Sequence, residues 1–230
     1  MFALAEELRL GGRRVLTTTT TKIWFREAQR SPCVIFPDSC SGWDEMVGDS
    51  VERYGHVFVG QGLLDSGKVQ GISPAIADSL FREPRVENLI LEADGSAGRP
   101  VKAHAKHEPA IPASATTVIA MMGLEALGKR LEPEVVFRVE LFQDLTGLKQ
   151  GDKLTPEGLA KVFQSREGLF RGSPDLARRV VFLNKLDLLP DDREARKLAD
   201  LIVKTSHISI DRVVIGSIRK ASYFLIRSTP

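Results

Sequence analysis

Three segments of this 230-residue chain carry side chains suited to a phosphorylated ligand. Asn184-Lys185-Leu186-Asp187 closes the apolar run 180–183. The Asp187 carboxylate can accept two hydrogen bonds from guanine N1 and N2, Asn184 can donate to N7, and the Lys185 stem can cover the base. Ligands bind at the carboxyl ends of strands in open α/β sheets, which is where a turn after such a run would lie. The competing reading is a strand that ends in a polar turn. Glu92-Ala93-Asp94-Gly95 follows a second apolar run, 89–91. Here Asp94 could hold Mg²⁺ through water, the Gly95 N–H could reach a γ-phosphate, and Glu92 could polarise a water. An Asp-Gly turn behind a buried strand accounts for the same letters. Third, five threonines from Thr17 to Thr21 run into Lys22. The Thr17 and Thr18 hydroxyls could orient Mg²⁺-bound water or phosphate oxygens beside the Lys22 charge. High β-propensity explains one face of such a run but not the lysine at its end.

Other patterns fit their chemistry less well. Gly62 to Lys68 matches G-x-x-x-x-G-K, but Val69 has no hydroxyl for a metal, and Gly71 and Pro74 interrupt the helix that must follow. A hairpin or loop suits it better. His104, His107 and Glu108 lie among prolines with no further Cys or His nearby, so a polar loop is favoured over a metal site. Cys33 and Cys40 are separated by six residues, outside the usual short zinc-ligand spacing, and imply no disulfide framework.

Strands and helices must position these groups. The residue pattern predicts helices over 1–10, 43–54, 124–131, 134–145, 156–164, 174–178 and 191–205. It predicts strands over 13–19, 33–36, 56–59, 86–92, 117–121, 180–183 and 212–215, with 223–226 at an edge. Ser73 before Pro74 predicts the start of a further helix through 81. Residues 95–115, with Pro100, Pro109 and Pro112, read as a long functional loop. Strand and helix alternate throughout, which predicts an α/β fold with a three-layer, mostly parallel sheet. The length suits one domain over 1–230, with 132–179 a helical insertion or subdomain.

Composition narrows the partners. Lys and Arg total 32 against 30 acidic residues, too balanced to predict nucleic-acid or anionic-membrane binding. No apolar run approaches the roughly 18 residues of a membrane helix. Glu6 and Glu7 exclude a signal peptide over 1–10. These features, with two cysteines, predict a cytoplasmic protein with reduced thiols.

Taken in order, the motifs resemble a known family. Val15 to Lys22, Glu92 to Ser96 with Pro100 and Lys102, Glu108 to Pro112, Arg138 to Phe142, Leu145 to Gly147, and Leu183 to Asp187 resemble the YqeC family. Its members are described as selenium-dependent hydroxylase accessory proteins. The resemblance implies a P-loop NTPase-like fold and a GTP- or ATP-dependent role, with Mg²⁺, in maturing selenium-dependent molybdenum hydroxylases. It implies a partner in the hydroxylase or its maturation factors. Ser96, Lys102, His107 and Glu108 would then line a reaction- or partner-facing loop, with Glu92 and Asp94 catalytic. Family members open with a strand and a glycine-rich phosphate (Walker A) loop before a helix like 1–10, and this sequence shows neither. The expectation is therefore a P-loop sheet lacking its first strand, an NTPase with impaired hydrolysis. The alternative is a non-catalytic scaffold for the maturation machinery. A third is an unrelated α/β enzyme that uses Thr17 to Lys22 as an anion site.

Overall fold

A computed structural model describes residues 1–39, 41–205 and 208–226. Cys40 lies outside the described residues. The fold is α/β with mostly parallel sheets. The chain packs as two compact units, Met1–Gly95 with Ala110–Ser114, and Ser96–Pro109 with Ala115–Pro230. The sequence predicts one sheet, and the two units instead carry a four-stranded sheet each.

In the first unit, helix α1 (Phe2–Leu10) leads into β1 (Val15–Thr19). A short β2 (Ile23–Trp24) and α2 (Phe25–Ala28) follow, then β3 (Val34–Ile35), α3 (Trp43–Tyr54) and β4 (His56–Val59). Strands β5 (Gly62–Leu63) and β6 (Lys68–Gln70), α4 (Pro74–Phe81) and β7 (Asn88–Glu92) complete it. The main sheet runs β3-β4-β1-β7, all pairs parallel. Strand β1 lies between β4 and β7, so all five of its residues are buried. Parallel strands covered on both faces carry such continuous burial. Helix α3 sets Val47 and Val51 against Leu16, Val57 and Val59. Ser73 accepts the Ile76 N–H, which caps α4 as the sequence predicts. The G-x-x-x-x-G-K stretch is the hairpin β5–β6, with β2 added at its edge. Trp24, on β2, is half exposed beneath the Lys68 ammonium, while Trp43 packs partly buried at the start of α3.

The second unit contains β8 (Val101–Lys102), β9 (Thr117–Gly123), β10 (Val136–Phe137), α5 (Val139–Thr146) and α6 (Pro156–Gln164). It ends with β11 (Arg178–Asn184), α7 (Arg193–Thr205), β12 (Arg212–Ser217) and β13 (Ser222–Ile226). Its sheet runs β13-β12-β11-β9, with only β13 antiparallel. Phe142 of α5, Phe163 of α6 and Ile202 of α7 share one core with Val181, Leu183 and Val213. Among the described residues, β7 pairs only with β1, and β9 only with β11.

Several predicted elements differ. Helix 124–131 is a single 3-10 turn, Leu124–Ala126, followed closely by Gly128 in the left-handed region at φ 77°. The helix predicted from 134 begins at Val139, because Val136–Phe137 pairs as a strand with Val101–Lys102. That pairing places a strand inside the predicted loop 95–115. Residues 174–177 form turns rather than a helix, and β11 begins at Arg178. Within segment 132–179, α5 and α6 pack into the core of the second unit.

Candidate functional site

Strand pairing assembles the Asn184 corner within the second unit. Leu183 pairs with Ile215, and Asn184 lies opposite Gly123, so β9, β11 and β12 end side by side. Asn184 Oδ1 accepts the Ile218 N–H at 3.1 Å. That bond uses the side-chain oxygen as acceptor and leaves the amide N–H groups as the donors Asn184 can offer. Ser217 is buried, and its hydroxyl accepts the Lys220 N–H at 3.1 Å, tightening the same turn. Lys185 has φ 67°, uncommon for a residue with a Cβ, and its ammonium is paired with Glu125. Asp187 follows in a 3-10 turn with its side chain exposed. Sequence reasoning missed Glu125 and the Ser217-Ile218 turn. Only the strand register brings them to Asn184.

The predicted loop group divides. Lys102 is buried at 5% exposure, on a strand, with Nζ 2.9 Å from Glu108 Oε2. It does not face a partner as expected. Arg138 donates to both Glu108 oxygens, with NH2 2.9 Å from Oε1. Lys102 and Arg138 both lie over the Phe137 ring. Burial alone would raise the Glu108 carboxyl, but hydrogen bonds from Arg138 and Lys102 overcome it and hold the pKa at about 2. His107 is largely exposed, and Ser96 is half-buried and donates to the Arg99 carbonyl at 2.7 Å. Among the described residues, no three His, Cys, Asp or Glu side chains gather as a metal-binding group.

In the first unit the threonines serve the sheet. Thr17 Oγ1 lies 2.9 Å from His56 Nε2, Thr18 donates to the Val59 carbonyl at 2.7 Å, and Thr19 donates to the Glu92 carbonyl at 3.0 Å. All three are fully buried, so Thr17 and Thr18 cannot present hydroxyls to Mg²⁺ or phosphate as predicted. A buried hydroxyl must find a partner, and neighbouring strands supply it. Lys22, past the strand end, is exposed. Gly71 lies so close that an added Cβ would meet Thr20 C at 2.5 Å and Thr21 N at 2.7 Å. Glu92 ends β7, and burial pushes its carboxyl up; the Met1 amino group opposes the rise, while Asp94 and Glu27 add to it. Asp94 lies two residues on, half-buried. A carboxyl raised in this way can exchange a proton nearer neutral pH than an exposed one.

Among the described residues, no helix is long and apolar enough to cross a membrane. No solved structure matches the chain. A protein of Escherichia coli (strain K12), named uncharacterized protein YqeC, is 33% identical over 220 residues, covering 96% of this chain and 83% of its own length. The family model described as YqeC protein matches residues 1–140. With more than half the chain matched by that model, and a relative of this identity along nearly its whole length, the chain belongs to the YqeC family.

Proposed function

We propose that this protein is a nucleotide-dependent accessory factor, using GTP or ATP, in the maturation of selenium-dependent molybdenum hydroxylases. The observation that carries the nucleotide part is the Asn184 corner. Asn184 is tied to the Ile218 N–H at the carboxyl ends of parallel strands, and the Asp187 carboxylate is left in solvent. Asp187 can accept the N1 and N2 hydrogens of guanine, while the Asn184 amide donates to N7. The hydroxylase part follows from the family resemblance alone. A P-loop NTPase-like architecture is part of the same reading, supported by the mostly parallel sheets.

Mg²⁺ accompanies such nucleotides and neutralises phosphate charge. Of the residues predicted to hold it, Thr17 and Thr18 are buried and do not fit. Asp94, acting through water, fits the habit of Mg²⁺ to use one or two carboxylates plus phosphate oxygens. Asp94, Glu92 and Lys22 all belong to the first unit, and their candidate roles toward metal, water and phosphate are a proposal about that unit by itself.

Calorimetric titration with GTP, GDP and ATP in the presence of Mg²⁺ tests the reading. Asp187→Asn exchanges an acceptor for a donor, so preference should pass from GTP to xanthosine triphosphate. Loss of both bonds to a charged acceptor costs about 3–6 kcal/mol, more than a hundredfold in affinity. If no nucleotide binds, the scaffold reading replaces this one, and direct binding to a hydroxylase without nucleotide becomes its test.

A further inference from the structure

The lysine of the Asn184 corner is held by a residue outside the recognition pattern. Gly123 ends β9 opposite Asn184, and Glu125, two residues later, binds the Lys185 ammonium through Oε1. The other carboxylate oxygen, Oε2, is buried and accepts no hydrogen bond among the described residues. A Cβ at Gly123 would overlap that oxygen, so the carboxylate occupies space that only glycine leaves.

This arrangement is poorly explained as a stabilising contact. The Lys185 side chain is 45% exposed and that of Glu125 21%. Partly exposed ion pairs return little, while a buried acceptor left unsatisfied is costly. Lys185 also holds an uncommon backbone conformation at φ 67°. Costs of this kind collect where a side chain must be aimed. A free lysine stem loses its rotamer freedom when it is laid against a base; a stem already pinned loses far less.

We infer that Glu125 is a positioning residue for nucleobase binding. It fixes the Lys185 stem beside Asn184 and Asp187 before a purine nucleotide arrives, and touches no ligand atom itself. The inference rests on the nucleotide reading above and adds the device that pre-sets its base site.

The test is a double-mutant cycle by calorimetry, with GDP and ADP as probes and Mg²⁺ present, on wild type, E125A, K185A and the pair. E125A should weaken binding of the preferred nucleotide about two- to tenfold, the cost of ordering one long side chain at binding. In the K185A background E125A should change affinity less than about twofold. The unliganded melting temperature of E125A should match wild type, which a merely structural role would lower. Equal affinity in wild type and E125A overturns the inference. So does a full E125A effect that persists without Lys185, because Glu125 would then act by another route. Should E125A fail to fold, Glu125→Gln keeps the volume and one acceptor oxygen and carries the same cycle. A wild type that binds neither nucleotide overturns the base-site reading together with this inference, and the wild-type titration alone distinguishes that outcome.

Discussion

Glu108→Gln removes one negative charge from between Lys102 and Arg138 while keeping the side chain's shape. Lys102 Nζ lies 2.9 Å from the carboxylate with its side chain 4% exposed, and Glu108 itself is 19% exposed. Removing one member of a fully buried pair costs about 3–5 kcal/mol, because the remaining charge stays desolvated. Glu108 keeps a fifth of its side chain in water, so the expected loss is about 2–4 kcal/mol. Urea denaturation followed by circular dichroism should show it as a lower midpoint with an unchanged slope. The sign of the pH dependence follows from the depressed pKa. Glu108 titrates near 2 folded and near 4.3 unfolded. Its contribution is complete above the unfolded value and is lost as pH falls toward 2. The gap between wild type and Glu108→Gln should therefore close between pH 5 and pH 2. Adding Lys102→Met to Glu108→Gln should recover part of the loss, since the stranded cation is gone. A loss below about 0.5 kcal/mol at pH 7, or a gap that widens on acidification, would refute the reasoning.

Three other outcomes are expected. His56 is 1% exposed, and burial lowers its pKa, so the unfolded chain takes up this proton first as pH drops below about 6.5. Stability should fall from pH 7 to pH 5, by at most about 1.4 kcal/mol per pH unit from this group, and His56→Gln should flatten that slope. Gly71→Ala drives a methyl group into the Thr20 and Thr21 backbone, and should cost about 1–3 kcal/mol in urea titrations. Phe163→Ala opens a cavity in the second unit, where Phe163 is fully buried, and should cost about 3–5 kcal/mol by the same assay.

Local signals in the chain were sufficient for some elements and not for others. Helix Trp43–Tyr54 and strand His56–Val59 sit where the residue pattern places them. Pro74 and Pro156, each behind a hydroxyl cap, open their helices as predicted. What failed was non-local. Nothing beside Val136 announces that it will pair with Val101 and hold back a helix until Val139. The threonine run looked chemical because its partners, His56, Val59 and Glu92, come from strands far along the chain. Lys102 looked exposed for the same reason, since Arg138 and Glu108 enclose it only after folding. The sequence places Asn184 at a strand end before a turn, but the nearness of Glu125 and the Ile218 N–H requires the register of three strands.

The placement of the two indole rings has an optical consequence. The sequence holds two tryptophans, and both Trp24 and Trp43 fall in the first unit. Indole emission therefore originates in the first unit, from the edge of the hairpin and from the start of α3. The second unit carries Tyr223 as its aromatic chromophore, next to Phe182 at a ring separation of 6.0 Å. Exciting the indoles selectively, and recording backbone dichroism alongside, would let the melting of each unit be followed in one sample, with no label added.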